Sequence, residues 1–91
     1  MNNVNLIGRI EKIVISAEAM DNQCAVNFLL TVEDDAGVEQ IPCIAHGIRA
    51  ELIAKYMQKG DRLIISGRLF DMVVEVLRVT FALAPELGDA A

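Results

Sequence analysis

The sequence predicts a small all-β domain with one helix, in which five strands close into a barrel in the order β-β-β-α-β-β. Three observations support this fold class. Most of the chain consists of runs rich in Val and Ile in which apolar and other residues alternate. One segment has a helical period instead, and Gly, Asp and Asn residues separate the runs. Because the chain has 91 residues, we expect a single domain.

The first predicted strand covers residues 3–16. Its alternating residues divide between two faces. One face carries Val4, Leu6, Gly8 and Ile10, and the other carries Asn5, Ile7 and Arg9. The alternation changes phase after Ile10, which predicts a bulge or a bend. Gly8 inside the strand predicts strong coiling or a close approach of the backbone.

The second and third predicted strands, residues 25–33 and 38–46, form a hairpin around a turn at residues 34–37. Pro42 cannot donate a backbone hydrogen bond, so its amide position must lie at an edge or a bulge. The predicted inner rows are Val26, Phe28, Leu30 and Val32 in the second strand, and Ile41, Cys43 and Ala45 in the third.

A helix is predicted over residues 48–59, with Gly60 as a left-handed C-terminal cap. Its apolar stripe is Ile48, Leu52, Ile53 and Met57. The fourth and fifth strands follow at residues 62–70 and 73–83, and Asp71 and Met72 alone connect them.

Five strands with a helix between the third and the fourth are the arrangement of the OB-fold. We expect the barrel to occupy residues 1–84, the helix to close one end of it, and residues 85–91 to form a short C-terminal tail. A five-stranded sandwich of another topology has the same number of strands, but it gives no evident place to the helix.

The apolar content is high for a small domain, with 54% hydrophobic residues and a mean hydropathy of +0.41. One small core cannot hide this much apolar surface, so we expect a subunit interface or a groove, and therefore a homo-oligomer. No run approaches the ~20 apolar residues that a membrane-spanning helix needs. The N-terminus lacks the pattern of a secretory signal, which predicts a cytoplasmic protein.

The sequence gives no sign of an enzyme or of a cofactor. It contains one His, no nucleophile–base pair, no glycine-rich phosphate loop and no spacing of metal ligands. Cys24 and Cys43 lack a CxxC spacing, and we interpret them as reduced cysteines that act as small core hydrophobes. A disulfide between them is the disfavoured alternative in a reducing compartment.

The order and spacing of several short segments resemble the bacterial single-stranded DNA-binding protein family over roughly residues 2–83. No single segment is specific, but their order and spacing together are fairly strong evidence for the resemblance. The segments are residues 4–10 (VNLIGRI), 25–28 (AVNF), 43–47 (CIAHG), 54–61 (AKYMQKGD), 65–69 (ISGRL) and 74–76 (VEV).

The resemblance implies a non-catalytic OB-fold that binds single-stranded DNA in replication, repair or recombination. Such a fold follows the strand backbone with basic side chains and stacks bases on aromatic rings. It also implies a homodimer or a homotetramer, often paired through the first strand, where Ile7 is predicted to be exposed. The candidate nucleic-acid-binding residues are Arg9, Lys12, His46, Arg62, Arg68 and Arg78.

The chain departs from the family pattern in its aromatic residues. Gln40 and His46 stand where the third strand of the family usually carries rings, and the arm between the last two strands is reduced to Asp71 and Met72. We interpret Phe28, Tyr56, Phe70 and Phe81 as core or interface residues rather than stacking platforms, with Phe70 as the best alternative ring.

The aromatic deficit and the net charge of −5 keep a second function open. This alternative is an OB-fold protein-interaction subunit, or a primosome-type accessory subunit, with weak or no DNA binding. The net charge is only an average, however, and the eight Lys and Arg residues could still concentrate in one groove.

Overall fold

A computed structural model describes residues 1–18 and 23–81 of the chain. Five strands form a closed barrel in which the neighbours follow the order β1-β2-β3-β5-β4. The predicted all-β class and the OB-fold order are therefore confirmed. The elements are β1 (Val4–Glu18), β2 (Gln23–Asp34), β3 (Gly37–His46), α1 (Gly47–Tyr56), β4 (Arg62–Phe70) and β5 (Val73–Phe81).

The barrel core consists of the inward rows that the alternation predicts. Val26, Phe28 and Leu30 of β2 are buried, and they pack with Cys43 and Ala45 of β3. Ile10, Leu63, Ile65, Val74 and Val76 complete the core from the other strands. Each fully buried large aliphatic side chain contributes about 1.5–3 kcal/mol relative to an exposed one, so this core is the main source of stability.

The bulge predicted in the first strand lies between Ile10 and Lys12, where the register between β1 and β2 shifts. Gly8 permits the close approach that was also predicted. A Cβ atom at this position would lie 2.5 Å from the carbonyl oxygen of Thr31. Gly67 has the same role between β4 and β5, since its Cβ would lie 2.0 Å from the carbonyl oxygen of Glu75. Both glycines allow the strands to curl tightly enough to close the barrel.

The predicted end of the helix is wrong, and its predicted apolar stripe is confirmed for Ile53 and Met57 but not for Ile48 and Leu52. Helix α1 ends at Tyr56 rather than at residue 59, and its C-cap is Met57 in an extended conformation. Gly60 has a positive φ of 96°, but it belongs to the following turn, where its N–H donates to the carbonyl oxygen of Ile10. The helix buries Ala50 and Ile53, whereas Ile48 is 66% exposed and Leu52 is 38% exposed.

The predicted hairpin between the last two strands is confirmed. Phe70 pairs with Val73, so Asp71 and Met72 alone form the turn. Their φ angles of 55° and 68° are those of a type I′ turn, which matches the twist of the flanking strands. Because the turn is short, Phe70 and Asp71 lie beside Ile44 of β3 and Glu75 of β5 on the outer surface of the barrel.

Pro42 lies at an edge of the sheet, as predicted. It faces Leu29 in the pairing of β2 with β3. On its other side, the parallel pairing of β3 with β5 begins only at Cys43 and includes two residue pairs. Pro42 therefore stands next to the short seam that closes the barrel.

Three expectations fall on residues that the structure does not describe. These are the end of the fifth strand at residue 83, the domain boundary at residue 84, and the tail at residues 85–91. Within residues 1–18 and 23–81, no helix is long and apolar enough to span a bilayer. The same ranges contain no group of three or more His, Cys, Asp or Glu side chains that could hold a metal ion.

Candidate nucleic-acid interface

A groove crosses the outer surface of the barrel over β2, β3 and the end of the β4–β5 hairpin. It consists of two adjoining depressions with volumes of about 510 Å³ and 260 Å³. Asn27 and Val73 line both depressions, so the two adjoin along these residues. We call this surface the groove, and its main lining residues are Lys12, Asn27, Ile44, His46, Arg68, Phe70, Val73 and Glu75.

The alternation of β2 and β3 sets the floor of the groove. Asn27 and Ile44 are register partners, and both belong to outward rows. His46 ends β3 on the same row and is the N-cap residue of α1. The outer surface of the second and third strands is the face on which OB-folds bind oligonucleotides. The groove therefore occupies the usual binding face of this fold.

Phe70 supplies an accessible aromatic ring at one end of the groove. Its side chain is 64% exposed, and the Arg68 guanidinium lies 5.8 Å from the ring centroid. Tyr56 is 60% exposed as well, so neither ring belongs to the core, and their alternative interpretation as interface residues stays a prediction. Phe28 is buried as predicted, and Phe81 packs half-buried against the core.

The groove carries charges of both signs. Arg68 Nε lies 3.5 Å from Glu75 Oε1, and Asp71 lines the same depression. Lys12 lines the other depression, next to Val14 and Leu29. Two cations and two carboxylates thus face one surface, together with the imidazole of His46, which makes no hydrogen bond to the residues that the structure describes. The aromatic and apolar lining, rather than a strong positive field, is the distinctive feature of the groove.

Arg9 and Arg62 lie outside the groove, and we call them the arginine pair. They are register partners in the pairing of β1 with β4. They line a separate depression of about 440 Å³ that also includes Thr31 and Glu33. Arg9 Nη1 donates to the carbonyl oxygen of Gly60 at 3.3 Å. This depression shares no lining residue with the groove.

The structure thus divides the six sequence candidates among three places. Lys12, His46 and Arg68 line the groove, and Arg9 and Arg62 form the arginine pair. Arg78 is exposed on β5 opposite Ser66, and it lines neither surface. Sequence reasoning did not select Asn27, Ile44 or Glu75. Their alternation indicates an outward direction, but nothing in the sequence places them beside Phe70.

The closed five-stranded barrel, its helix between β3 and β4, and the groove on its second and third strands define an OB-fold binding protein. The sequence matches the model of the single-strand binding protein family over residues 1–75. The chain therefore belongs to this family, and the class of protein predicted from its sequence is confirmed.

Solved structures agree with this assignment. A deletion variant of the single-stranded DNA binding protein from Thermus aquaticus is similar, with a TM-score of 0.80 and 25% identity over 92% of this chain and 42% of that one. The wild-type protein gives a TM-score of 0.77 and 25% identity, over 92% and 41% of the two chains. The chain spans less than half the length of these proteins.

A third structure, the SSB domain of a Synechococcus sp. protein, shares the fold at 16% identity. Its TM-score is 0.75, and the similarity covers 87% of this chain and 93% of that domain. No curated protein matches the sequence significantly.

Proposed function

We propose that this chain binds single-stranded DNA in the groove and that it does so without catalysis. The observation that carries the proposal is the juxtaposition of Phe70, His46 and Arg68 in one depression that continues to Lys12. OB-folds that bind single strands combine stacking rings with basic side chains in one groove, and these residues are of those types.

The proposed binding mode gives each side chain a separate task. Phe70 stacks on one base, and His46 offers a second, smaller face. Stacking on an aromatic side chain is worth about 1–3 kcal/mol for each base and does not depend strongly on base identity. Ile44 and Val73 form an apolar floor between the two rings. Arg68 and Lys12 contact phosphates at the two ends of the groove.

The test is a fluorescence anisotropy titration of a labelled oligo-dT of a few tens of nucleotides, at low and at physiological salt. We expect binding that weakens steeply with salt, because phosphate contacts release counterions. Phe70→Ala should weaken binding by about 10-fold, which corresponds to the loss of one stacked base. His46→Ala and Arg68→Ala should weaken it less.

Tyr56→Ala is the matched control, because Tyr56 is a ring of similar exposure that lies outside the groove. We expect it to bind oligo-dT as the wild-type protein does. Absence of binding by the wild-type protein at low salt and high protein concentration would contradict the proposal.

We also propose a homodimer or a homotetramer that associates through the outer face of β1 and β4. Ile7 and Ile64 are register partners on this face, with exposures of 52% and 37%. Apolar neighbours on an open face favour association. Linked barrels would bind one strand more tightly than a single barrel, since each bound groove raises the effective concentration of the next.

Sedimentation velocity tests the assembly. Ile7→Asp should lower the oligomeric state, while Val38→Asp, at another exposed apolar position, should leave it unchanged. An unchanged assembly in the Ile7→Asp variant would exclude this face as the interface.

The carboxylates in the groove favour one alternative, an OB-fold protein-interaction or primosome-type accessory subunit. Glu75 and Asp71 would repel phosphates, and Glu75 also competes with them for Arg68. The same oligo-dT titration separates the two functions, because only the first requires salt-dependent binding. A cytoplasmic setting and a role in replication, repair or recombination remain predictions.

A further inference from the structure

The side chain of Asn2 makes two hydrogen bonds with the backbone of a residue close to the groove. Asn2 Nδ2 donates to the carbonyl oxygen of Leu69 at 2.8 Å. The backbone N–H of Leu69 donates to Asn2 Oδ1, also at 2.8 Å. These contacts join residue 2 to the end of β4. Asn2 neither lines the groove nor belongs to the core, so its two hydrogen bonds call for a separate explanation.

The two bonds extend the pairing of β1 with β4 by one rung. The register of these strands includes Val4 opposite Gly67, so residue 2 stands opposite residue 69. Strand β1 begins only at Val4, and the main-chain ladder therefore ends before this point. A carboxamide has one acceptor and an N–H donor, as a peptide group does. The Asn2 side chain thus replaces the missing main-chain partner of Leu69.

Leu69 lies between the two groove residues of the hairpin, Arg68 and Phe70. Beyond it, Asp71 and Met72 adopt left-handed conformations that cost free energy in residues other than glycine. Leu69 pairs with Val74 of β5 on its other side. Among the described residues, Asn2 makes the only hydrogen bonds that hold Leu69 on the β1 side.

We propose that Asn2 is a positioning residue that fixes the hairpin end and thereby holds Phe70 and Arg68 in place for the DNA strand. The inference rests on the proposed function of the groove. Without the two bonds, the N–H and the carbonyl of Leu69 form an open sheet edge, and the tip moves more freely. Binding must then order the tip, which lowers affinity even though every DNA-contacting side chain is still present.

The test compares Asn2→Ala with Asn3→Ala. Asn3 is an exposed neighbour of the same type, and its side chain makes no hydrogen bond to any residue within 1–18 and 23–81. In the oligo-dT titration, we expect Asn2→Ala to weaken binding about 2- to 10-fold, the range expected when one side chain must be ordered on binding. Asn3→Ala should bind as the wild-type protein does. In a Phe70→Ala background, Asn2→Ala should have a smaller effect, because both changes act through the same ring.

Amide hydrogen exchange supplies a readout that does not depend on DNA. The Leu69 amide should exchange faster in Asn2→Ala than in Asn3→Ala, because its acceptor is lost. Unchanged exchange would overturn the contact itself. Faster exchange with wild-type affinity would overturn the positioning role and leave the proposed function intact. If the wild-type protein does not bind oligo-dT, the proposed function fails and the inference fails with it.

Discussion

In the proposed binding mode, Glu75 opposes DNA binding, because its carboxylate lies 3.5 Å from Arg68 Nε, the proposed phosphate contact. Glu75→Gln should raise the affinity for oligo-dT by about 2- to 5-fold, since it removes a repulsive charge and releases Arg68. Both side chains of the pair are largely exposed, and such pairs contribute about 0.2–1 kcal/mol to stability. The melting temperature should therefore change little.

Glu51→Gln on α1 is the control for this prediction, because it changes the net charge equally at an exposed position outside the groove. Anisotropy titrations of both variants provide the comparison. A loss of affinity in Glu75→Gln would show that the carboxylate instead orients Arg68 toward the strand.

The buried thiol of Cys43 should make the folding stability depend on pH. Burial in the core raises the pKa of its thiol from 9.0 to about 12. Between these values the unfolded chain loses the proton while the folded protein keeps it, so the free energy of unfolding falls as the pH rises. The slope approaches about 1.4 kcal/mol per pH unit. Below pH 9 this contribution is constant.

Cys43→Val removes the thiol at similar volume and isolates its contribution from those of the Lys and Tyr side chains. Urea unfolding of the two proteins at pH 8 and pH 10.5 should show the wild-type protein losing about 2 kcal/mol relative to the variant. If the free energies of unfolding of the two proteins differ by the same amount at both pH values, the prediction is contradicted.

At the residue scale, the alternation in β2 and β3 correctly indicated which of their residues point outward, but not which other residues they meet. Asn27 and Phe70 are distant in the chain. Asn27 lies in the outward row of β2, and nothing in its neighbouring residues indicates that it meets Phe70. Their proximity depends on the β3–β5 seam, which includes only two residue pairs. No local pattern encodes this seam.

Helix α1 shows how an element can be located correctly and oriented incorrectly. It carries two apolar stripes, one with Ile48, Leu52 and Tyr56, and the other with Ala50, Ile53 and Met57. The barrel buries Ala50 and Ile53, because a small residue allows the helix to approach the sheet closely. Hydrophobicity alone favours the larger residues, and it therefore pointed partly to the wrong face.

The two stripes give different predicted costs of truncation. Ile53→Ala should lower the free energy of unfolding by about 2–5 kcal/mol, since it leaves a cavity in the core. Ile48→Ala removes the same atoms from an exposed position and should change the free energy of unfolding by at most about 0.5 kcal/mol. Urea unfolding of both variants measures the difference. Equal costs would mean that Ile48 is buried, for example against another subunit.

At the scale of the whole molecule, the arginine pair lies beyond the Lys12 end of the groove, further along β1 and β2. Arg9 precedes Lys12 of the groove by about 7 Å along β1, because the bulge between Ile10 and Lys12 absorbs one residue. On β2, Thr31 faces Arg9, and Leu29 faces Lys12. In the proposed binding mode, a DNA strand that leaves the groove past Lys12 would meet Arg9 and Arg62 next. Glu33 in the same depression moderates their attraction for phosphate.

The position of the pair predicts a dependence on DNA length. Arg62→Gln should leave the affinity for an oligo-dT that fills only the groove unchanged. For a longer strand it should weaken binding and reduce the salt slope by about 0.7, the value for one phosphate contact with a single strand. Titrations with short and long oligo-dT at several salt concentrations measure the affinity and the salt slope. Lys55→Gln, which makes the same change of charge on α1, should alter neither the affinity for the long strand nor the salt slope.

Folding stability separates this role from a structural one. Like charges directly opposite each other in a sheet are destabilising, so Arg62→Gln should not lower the melting temperature. A loss of stability together with equal effects on short and long strands would assign Arg62 to the fold instead.

The sequence by itself determined the class of domain, the order of its elements, the tight hairpin at Asp71 and Met72, and most of the inward rows. These features are local, because side-chain alternation, helical period and turn chemistry are properties of neighbouring residues. The tertiary structure decided which face of α1 is buried, how the basic residues divide between the groove and the arginine pair, and that Asn2 holds Leu69. Those facts depend on register and closure between distant strands, and the pairing of β1 with β4 and of β3 with β5 is fixed only when the whole barrel closes.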